Sequence, residues 1–367
     1  MKVLYVTTIS DTVNAFLIPH IQMLVNQGYQ VDVACHVHQE LDERLEKYGC
    51  NIFNIEFDRS PLKLQNVSVY KKLKKLIIER EYDIVHTHTP IASAITRVAC
   101  RKMDKVKVIY TAHGFHFYKG APLINWLMYY PVERWLSRYT DVLITINMED
   151  YERSKKEMKS HKIEYVPGVG LDISKFRNPG VDRFVKRAEL EFWNDAFVIL
   201  SVGELNKNKN HETVIRAIAR LNNPNVYYAI CGKGPLENYL KDLSARLKIE
   251  HQVKFLGYRK DIHEIYQAAD LFVFPSLREG LPVSLMEAIA SGLVVVCSKI
   301  RGNVDLVVDD SIGRLIEPKD DIELSDWITY FYNNRTERNQ RNHISPSSLD
   351  KYSLDNVLQE LMRIYLL

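Results

Sequence analysis

Short apolar runs alternate with amphipathic stretches along most of the chain. In the first half KVLYVT (2–7), YQVDVAC (29–35), CNIFNI (50–55), YDIVHT (82–87), VKVIYTA (106–112) and DVLITI (141–146) read as strands, and 15–26 and 69–79 carry a helical period between them. Near-continuous apolar strands alternating with helices predict a parallel sheet covered on both faces. The rhythm breaks at 167–180, where two prolines and three glycines predict a linker or domain edge. It restarts with AFVILSVG (196–203), VYYAICG (226–232), VKFLG (253–257), LFVFP (271–275) and LVVVCS (293–298), with helices expected over 211–222, 235–247, 261–269 and 283–290. The chain therefore reads as α/β, with two doubly wound, Rossmann-like domains over 1–168 and 169–352. Ligands of open α/β sheets bind at the carboxyl ends of the strands, which predicts a cleft between the two domains. Over 353–367, Leu354, Val357, Leu358, Leu361 and Tyr365 share one helical face, and this helix is expected to pack back on the first domain.

Composition narrows the class. A chain of 367 residues has room for two cores, and 46% hydrophobic with 26% charged residues excludes a disordered protein. A net charge of +3 offers no case for nucleic acid. Residues 1–170 hold 23 Lys and Arg against 19 Asp and Glu, so that part is near +4 and the rest near −1. A mildly basic first half suits an anionic substrate or a phospholipid surface, and is also ordinary. Five cysteines without a C-x-x-C pair suggest buried thiols in a reducing compartment. No apolar run approaches a membrane span, and MKVLYVTTISD reads as a first strand running into a polar loop. A cytoplasmic protein is expected.

The phrase REGLPVSLMEAIASG (278–292) raises a chemical question. Seven residues separate Glu279 from Glu287. Pro282 suits the first position of a helix, because its missing N–H would be unpaired there anyway. The free N–H groups of 283–285 then make an anion site. Glu279 lies just outside that end and Glu287 about 7–8 Å further along the axis. Two carboxylates would repel a bare phosphate. They make sense for a sugar nucleotide, whose diphosphate meets the helix end and a lysine while each acid accepts from hydroxyls on either side. The plain alternative is that Glu279 caps the helix and Glu287 lies on a solvated face.

FPSLREGLPVSLMEAIASG resembles the E-x7-E signature of the retaining nucleotide-sugar glycosyltransferases of family 4, which have the GT-B fold. VLYVTT, YDIVHTHTP, YTAHGF, VPGVGLDISKF, SVGELNKNKNHETVIRA and FLGYRKDIHEIYQAADLFVFPS resemble the family's other segments in the same order, so the resemblance covers nearly the whole chain. It implies that Glu279 contacts donor-sugar hydroxyls and Glu287 the nucleotide ribose. Gly203 and the loop backbone around Gly280, Leu281, Pro282 and Val283 would belong to the donor site. Lys209 would neutralise the diphosphate, and His113 would stand beside the donor sugar and help stabilise the transition state. The family needs no metal for donor binding, so no cofactor is expected beyond the nucleotide-sugar co-substrate.

Two departures stand out. Glu204 occupies the position where the family's phosphate-binding phrase has arginine; it would repel diphosphate, or else pair with Lys207 or Lys209. The first loop, TTISDTVNAF, lacks the family's two glycines, and Ser10 or Thr12 would offer hydroxyls there instead. His86 and His88 alternate on one strand and His113 and His116 follow one strand later; packing, acceptor contact and a metal site are all open readings. KKLKKLIIERE (71–81) and the aromatic stretch 115–139 suggest peripheral contact with an anionic membrane, or simply a solvated face and a core.

The resemblance implies transfer with retention by a front-face route, in which the leaving phosphate takes the acceptor's proton. A covalent carboxylate intermediate is the other route to retention. The acceptor implied is a glycan, a lipid-diphosphate-linked saccharide of capsule or exopolysaccharide assembly. Alternatives are a nucleotide-sugar epimerase on the same fold and a non-catalytic sugar-binding protein.

Overall fold

The computed structural model describes residues 1–58, 65–177, 180–335 and 347–366; residues 178–179 of the linker expectation and Leu367 of the tail helix lie outside them. The chain forms two compact units, Met1–Gly170 with Leu354–Leu367, and Leu171–Ser353.

The first unit is built on seven parallel strands: β1 (Lys2–Ile9), β2 (Gln30–His36), β3 (Ile52–Asn54), β4 (Ile84–His88), β5 (Lys107–Ala112), β6 (Val142–Thr145) and β7 (Lys162–Tyr165), in the order β3-β2-β1-β4-β5-β6-β7. Strand alternation sorts the core onto two faces. Val3 and Tyr5 pack with Ile18, Ile21 and Leu24 of helix Ile18–Asn26 and with Val357, Leu361 and Ile364 of helix Leu354–Leu366. Leu4 and Val6 pack on the opposite face with Val69, Leu73 and Ile77 of helix Gln65–Arg80 and Ala92 of helix Pro90–Cys100. Tyr110 and Leu143 continue that second face under helix Leu123–Leu136. The tail helix is pinned by polar contacts too, since Tyr365 Oη lies 2.6 Å from His86 Nδ1 and 2.9 Å from Tyr5 Oη.

The second unit has six parallel strands: β8 (Phe197–Val202), β9 (Val226–Cys231), β10 (Val253–Gly257), β11 (Leu271–Phe274), β12 (Val295–Ser298) and β13 (Gly313–Ile316), in the order β10-β9-β8-β11-β12-β13. Its core joins Phe197, Ile199 and Tyr228 to Val214 and Ile218 of helix His211–Leu221 and to Leu324 and Ile328 of helix Asp321–Asn333.

Three differences from the sequence reading have physical causes. β7 and β13 are strands that hydrophobic patterning does not mark. Both are edge strands, and the two central residues of each, Ile163 with Glu164 and Arg314 with Leu315, are only partly buried. The expected polar loop after β1 is helical from Ser10, with a π-turn over Val13–Leu17 before helix Ile18–Asn26. Pro19 cannot donate to the preceding turn, and the wider π-turn accommodates that gap while Val13, Leu17 and Ile18 stay buried. Pro282 is not the first helical residue. It is the N-cap, with extended backbone (φ −78, ψ 120), and the helix is Val283–Ala290.

Candidate functional site

In the second unit the chain order reverses between β8 and β11, which pair directly, Leu271 opposite Ile199. Loops leaving two such strands diverge and open a crevice. The loop after β8 holds Gly203 to Asn210, and the loop after β11 leads through Glu279 to helix Val283–Ala290.

The two loops are stitched together. Asn208 Nδ2 donates to Arg278 O (2.9 Å), Leu277 N–H donates to Asn208 O (2.8 Å), and Asn210 Nδ2 donates to Pro275 O (3.1 Å). Asn210 takes the left-handed conformation (φ 55), which asparagine tolerates. Lys209, clamped on both sides, reaches Glu279 Oε1 at 2.7 Å, with its ammonium 4.6 Å from the Phe274 ring centre. Gly203 makes room for the lysine stem, since a Cβ there would meet Lys209 Cδ and Cε at 3.1 Å.

Glu279 is also held through its backbone, because buried Arg301 donates from Nε to Glu279 O (3.0 Å). Gly302 (φ 80) supports the next residues, and a Cβ on it would lie 2.1 Å from Gly280 O. Leu281 and Pro282 are buried, which fixes the entry to the helix. No side chain of the N-cap closes that end, and the first intrahelical bond is Met286 N–H to Pro282 O. The N–H groups of Val283, Ser284 and Leu285 thus have no acceptor within the helix. Glu287 Oε2 lies 2.9 Å from Tyr266 Oη. Burial pushes the Glu287 carboxyl up to about 7, against the pull of Tyr266 and Lys175.

The plain reading of the two acids is therefore not what the structure holds: Glu279 is ion-paired and Glu287 is bonded to a buried tyrosine. The electrostatic objection to a phosphate beside two carboxylates also weakens. Lys209 neutralises Glu279, and burial pushes Glu287 toward its uncharged form. Glu204 pairs with neither lysine. It is exposed and accepts from Asn206 Nδ2 (2.8 Å).

The other candidates lie in the first unit. Ser10 is fully buried and its Oγ accepts from Gln39 N–H (3.1 Å), so it pins a neighbouring loop rather than presenting a hydroxyl; Thr12 is partly exposed. His116 stacks on Tyr129, ring centres 4.6 Å apart. His113 follows β5, and its Nε2 lies 3.0 Å from His88 Nδ1. His88 Nε2 is buried without a partner among the described residues. An unpaired lone pair is tolerated better than an unpaired N–H, so His88 carries its proton on Nδ1 and donates to His113. His113 is then left with its own proton on Nδ1. Desolvation pulls His113 down to about 4 and His86 and His88 well below their ordinary value, so all three are neutral at pH 7. His86 bonds Tyr365 and Thr111, a packing role.

A second surface lies on the first unit. Helices Gln65–Arg80, Pro90–Cys100 and Leu123–Leu136 share one face of the sheet. Buried Arg97 grips Glu133 with two bonds (2.6 and 3.1 Å) and lies 4.3 Å over the Tyr110 ring, which anchors the last helix. Phe115 and Phe117 are core, yet Leu123 (81%), Ile124 (57%) and Leu127 (74%) are exposed, as are Met128, Val132 and Trp135. Lys71, Lys72 and Lys75 are exposed on helix Gln65–Arg80. No helix among the described residues is long and apolar enough to cross a membrane.

Sequence reasoning missed Arg301, Gly302, Tyr266, Asn208 and Asn210. The Asn-Lys-Asn run and a glycine soon after β12 were the available signals, but their partners lie far along the chain.

Known proteins resemble this chain over most of its length. A family model described as glycosyl transferases group 1 matches residues 182–347, and one described as glycosyl transferase 4-like matches 2–147. EpsD of Bacillus subtilis (strain 168), which bears a glycosyltransferase name, is 38% identical over 90% of this chain and 87% of its own. The UDP-Gal:alpha-D-GlcNAc-diphosphoundecaprenol alpha-1,3-galactosyltransferase of Escherichia coli is 32% identical over 82% of this chain and 79% of its own. Among solved structures, Anabaena Alr3699/HepE in complex with UDP and glucose superposes with a TM-score of 0.83 at 20% identity, covering 100% of this chain and 99% of that one. WaaG, a glycosyltransferase involved in lipopolysaccharide biosynthesis, superposes at 0.79 with 16% identity over 99% of each chain. Two parallel doubly wound sheets, the ordered motifs and these relatives together place the chain among the family 4 glycosyltransferases of the GT-B fold.

Proposed function

We propose that this glycosyltransferase moves a sugar from a UDP-sugar, with retention, to a hydroxyl of a lipid-diphosphate-linked saccharide in exopolysaccharide or capsule synthesis. The observation that carries the reading is the Lys209–Glu279 pair at the strand-order switch, beside an uncapped helix end. The donor diphosphate takes the amides of 283–285 and draws Lys209 from Glu279. The freed carboxylate of Glu279 accepts from the donor-sugar hydroxyls, and Glu287 accepts from the ribose. As the glycosidic bond breaks, negative charge grows on the leaving diphosphate, where fixed amides and an ammonium stabilise it most. The leaving phosphate takes the acceptor's proton, so the reading needs no separate general base, metal or cofactor.

The donor and acceptor classes are supported by the UDP in the Anabaena complex and by the lipid-diphosphate acceptor in the name of the Escherichia coli relative. The exposed apolar helix and the lysines on the same sheet face fit an enzyme working on a lipid-linked acceptor, in peripheral contact with the inner face of the plasma membrane. Five free, buried cysteines suit the cytoplasm. Incubation with labelled UDP-sugars and a membrane extract tests the reading: label moved to lipid-linked saccharide supports it, whereas isomerised free sugar, or binding without turnover, would assign the site to an epimerase or a sugar-binding protein.

A further inference from the structure

Tyr266 Oη lies 2.9 Å from Glu287 Oε2 and 3.0 Å from the backbone oxygen of Ser284. A phenol carries one proton. If Glu287 is ionised, both neighbours are acceptors and must share that one hydrogen. If Glu287 is protonated, both contacts are satisfied. The carboxyl O–H donates to Tyr266 Oη, and the Tyr266 O–H donates to Ser284 O.

The surroundings favour the protonated form. Tyr266 is fully buried, with the Phe272 and Phe176 rings 5.7 and 5.9 Å away. Its helix, Ile262–Ala268, is anchored by Lys186, which bonds Asp261 and Glu264 at 2.6 and 2.7 Å. Burial pushes the Glu287 carboxyl up to about 7. Tyr266 and Lys175, the latter from helix Ile173–Arg177, face Glu287 and favour its ionised form without overcoming that burial. Cys231 faces Tyr266 from β9.

We infer that Glu287 holds a proton in the donor-free protein, with Tyr266 a positioning residue whose one O–H is contested by Ser284 O, and that the arriving donor ribose expels that proton. This rests on the assignment of Glu287 to the ribose. A vicinal diol brings two O–H donors and needs acceptor oxygens. A carboxylate offers them, whereas a carboxylic acid commits one oxygen to its own proton. On binding, the carboxyl O–H bond breaks and the proton passes to solvent. The Tyr266 O–H turns from Ser284 O to Glu287 Oε2, and the carboxylate accepts the diol. Nothing is oxidised or reduced. Donor binding thereby becomes proton-linked, and the buried acid waits uncharged beside the site of an incoming diphosphate.

Titration calorimetry with UDP-glucose, a phosphate diester that does not itself ionise near neutrality, counts the released protons when run in buffers of different ionisation enthalpy. Release of nearly one proton is expected near pH 6, about half near pH 7 and almost none well above 8, with affinity rising up to about tenfold per pH unit below 7. Tyr266→Phe should raise donor KM about tenfold with kcat within about twofold, and should move the proton-release midpoint upward, because the ionised acid loses its donor. A merely structural loss would weaken binding alike at every pH. In the donor-free protein, the carboxylic C=O stretch in wild-type minus Glu287→Gln infrared spectra should vanish around pH 7. UDP-glucose binding without proton release, together with absence of that band, overturns the inference and leaves the donor assignment standing. A band that titrates near 7 while UDP-glucose fails to bind at any pH overturns the ribose assignment and the inference with it.

Discussion

Lys209 and Glu279 neutralise each other across 2.7 Å, with side chains only 20% and 13% exposed. In the proposed reading the diphosphate takes Lys209 and the sugar takes Glu279, so the pair would hold both groups in place until the donor arrives. Glu279→Ala should reduce transfer by about 10³-fold, and Lys209→Ala should chiefly raise donor KM. In urea unfolding, the double variant should fall short of the sum of the singles by about 0.5–3 kcal/mol, because each single strands a partly buried charge. Wild-type turnover in Glu279→Ala would end the assignment.

Glu204 stands exposed on the loop that carries Lys209, bonded only locally to Asn206 among the contacts described. Glu204→Arg replaces a repelling charge with a bidentate donor, and UDP-glucose should bind about tenfold more tightly by calorimetry. Unchanged or weaker binding would mean that the acid itself contributes to donor affinity.

The exposed face of helix Leu123–Leu136 should bind anionic vesicles. Burying one leucine is worth about 1.5–3 kcal/mol and each nearby lysine about 1 kcal/mol. Leu123→Asp with Leu127→Asp should lower vesicle partitioning on the order of 10²-fold in flotation, whereas charge reversal at Lys71, Lys72 and Lys75 should remove only the salt-sensitive part. Equal flotation of wild type and the leucine double variant would discard the membrane face.

Acid should unfold the protein through its buried histidines. His20, whose Nε2 lies 2.8 Å from Val169 O, is drawn by burial down to about 4, and His113 likewise. Their unfolded values are about 6.5. The unfolded chain therefore binds more protons between these limits, so the stability they confer is complete above about 6.5 and is lost as pH falls toward about 4. His20 alone accounts for on the order of 3 kcal/mol. His20→Gln should flatten the fall in urea midpoint between pH 7 and pH 5, and an unchanged slope would refute the account.

Lys186 fills a group of three carboxylates, Glu189, Asp261 and Glu264, that would otherwise resemble a metal site. Lys186→Met leaves only Arg259, on Asp261 and Glu189, to offset the group and should lower the urea midpoint. The Arg259 and Lys186 bonds hold Asp261 well below the usual carboxylate range, so wild-type stability from this acid is present above about 4 and lost as pH falls. In Lys186→Met the fall with acid should be shallower, since one of the two cations that favour the ionised acid is gone. A variant as stable as wild type, or one that falls with acid as wild type does, would contradict this.

Period and residue type alone determined the doubly wound architecture, because strands such as LFVF are buried on both faces and are apolar throughout. They also marked the helix after Pro282, since proline and the apolar period are local signals. The candidate acids and lysine were legible as chemistry at strand ends. Only the tertiary structure decided which atoms meet. Lys209 and Glu279 lie 70 residues apart and touch because β8 and β11 are neighbours at the switch in strand order. Tyr266 reads as an ordinary core residue until the fold sets its one proton between Glu287 and Ser284. The edge strands β7 and β13 stayed hidden for a related reason: strand pairing hydrogen-bonds the backbone whatever the side chains are, and a partly solvated edge leaves little apolar signature in the sequence.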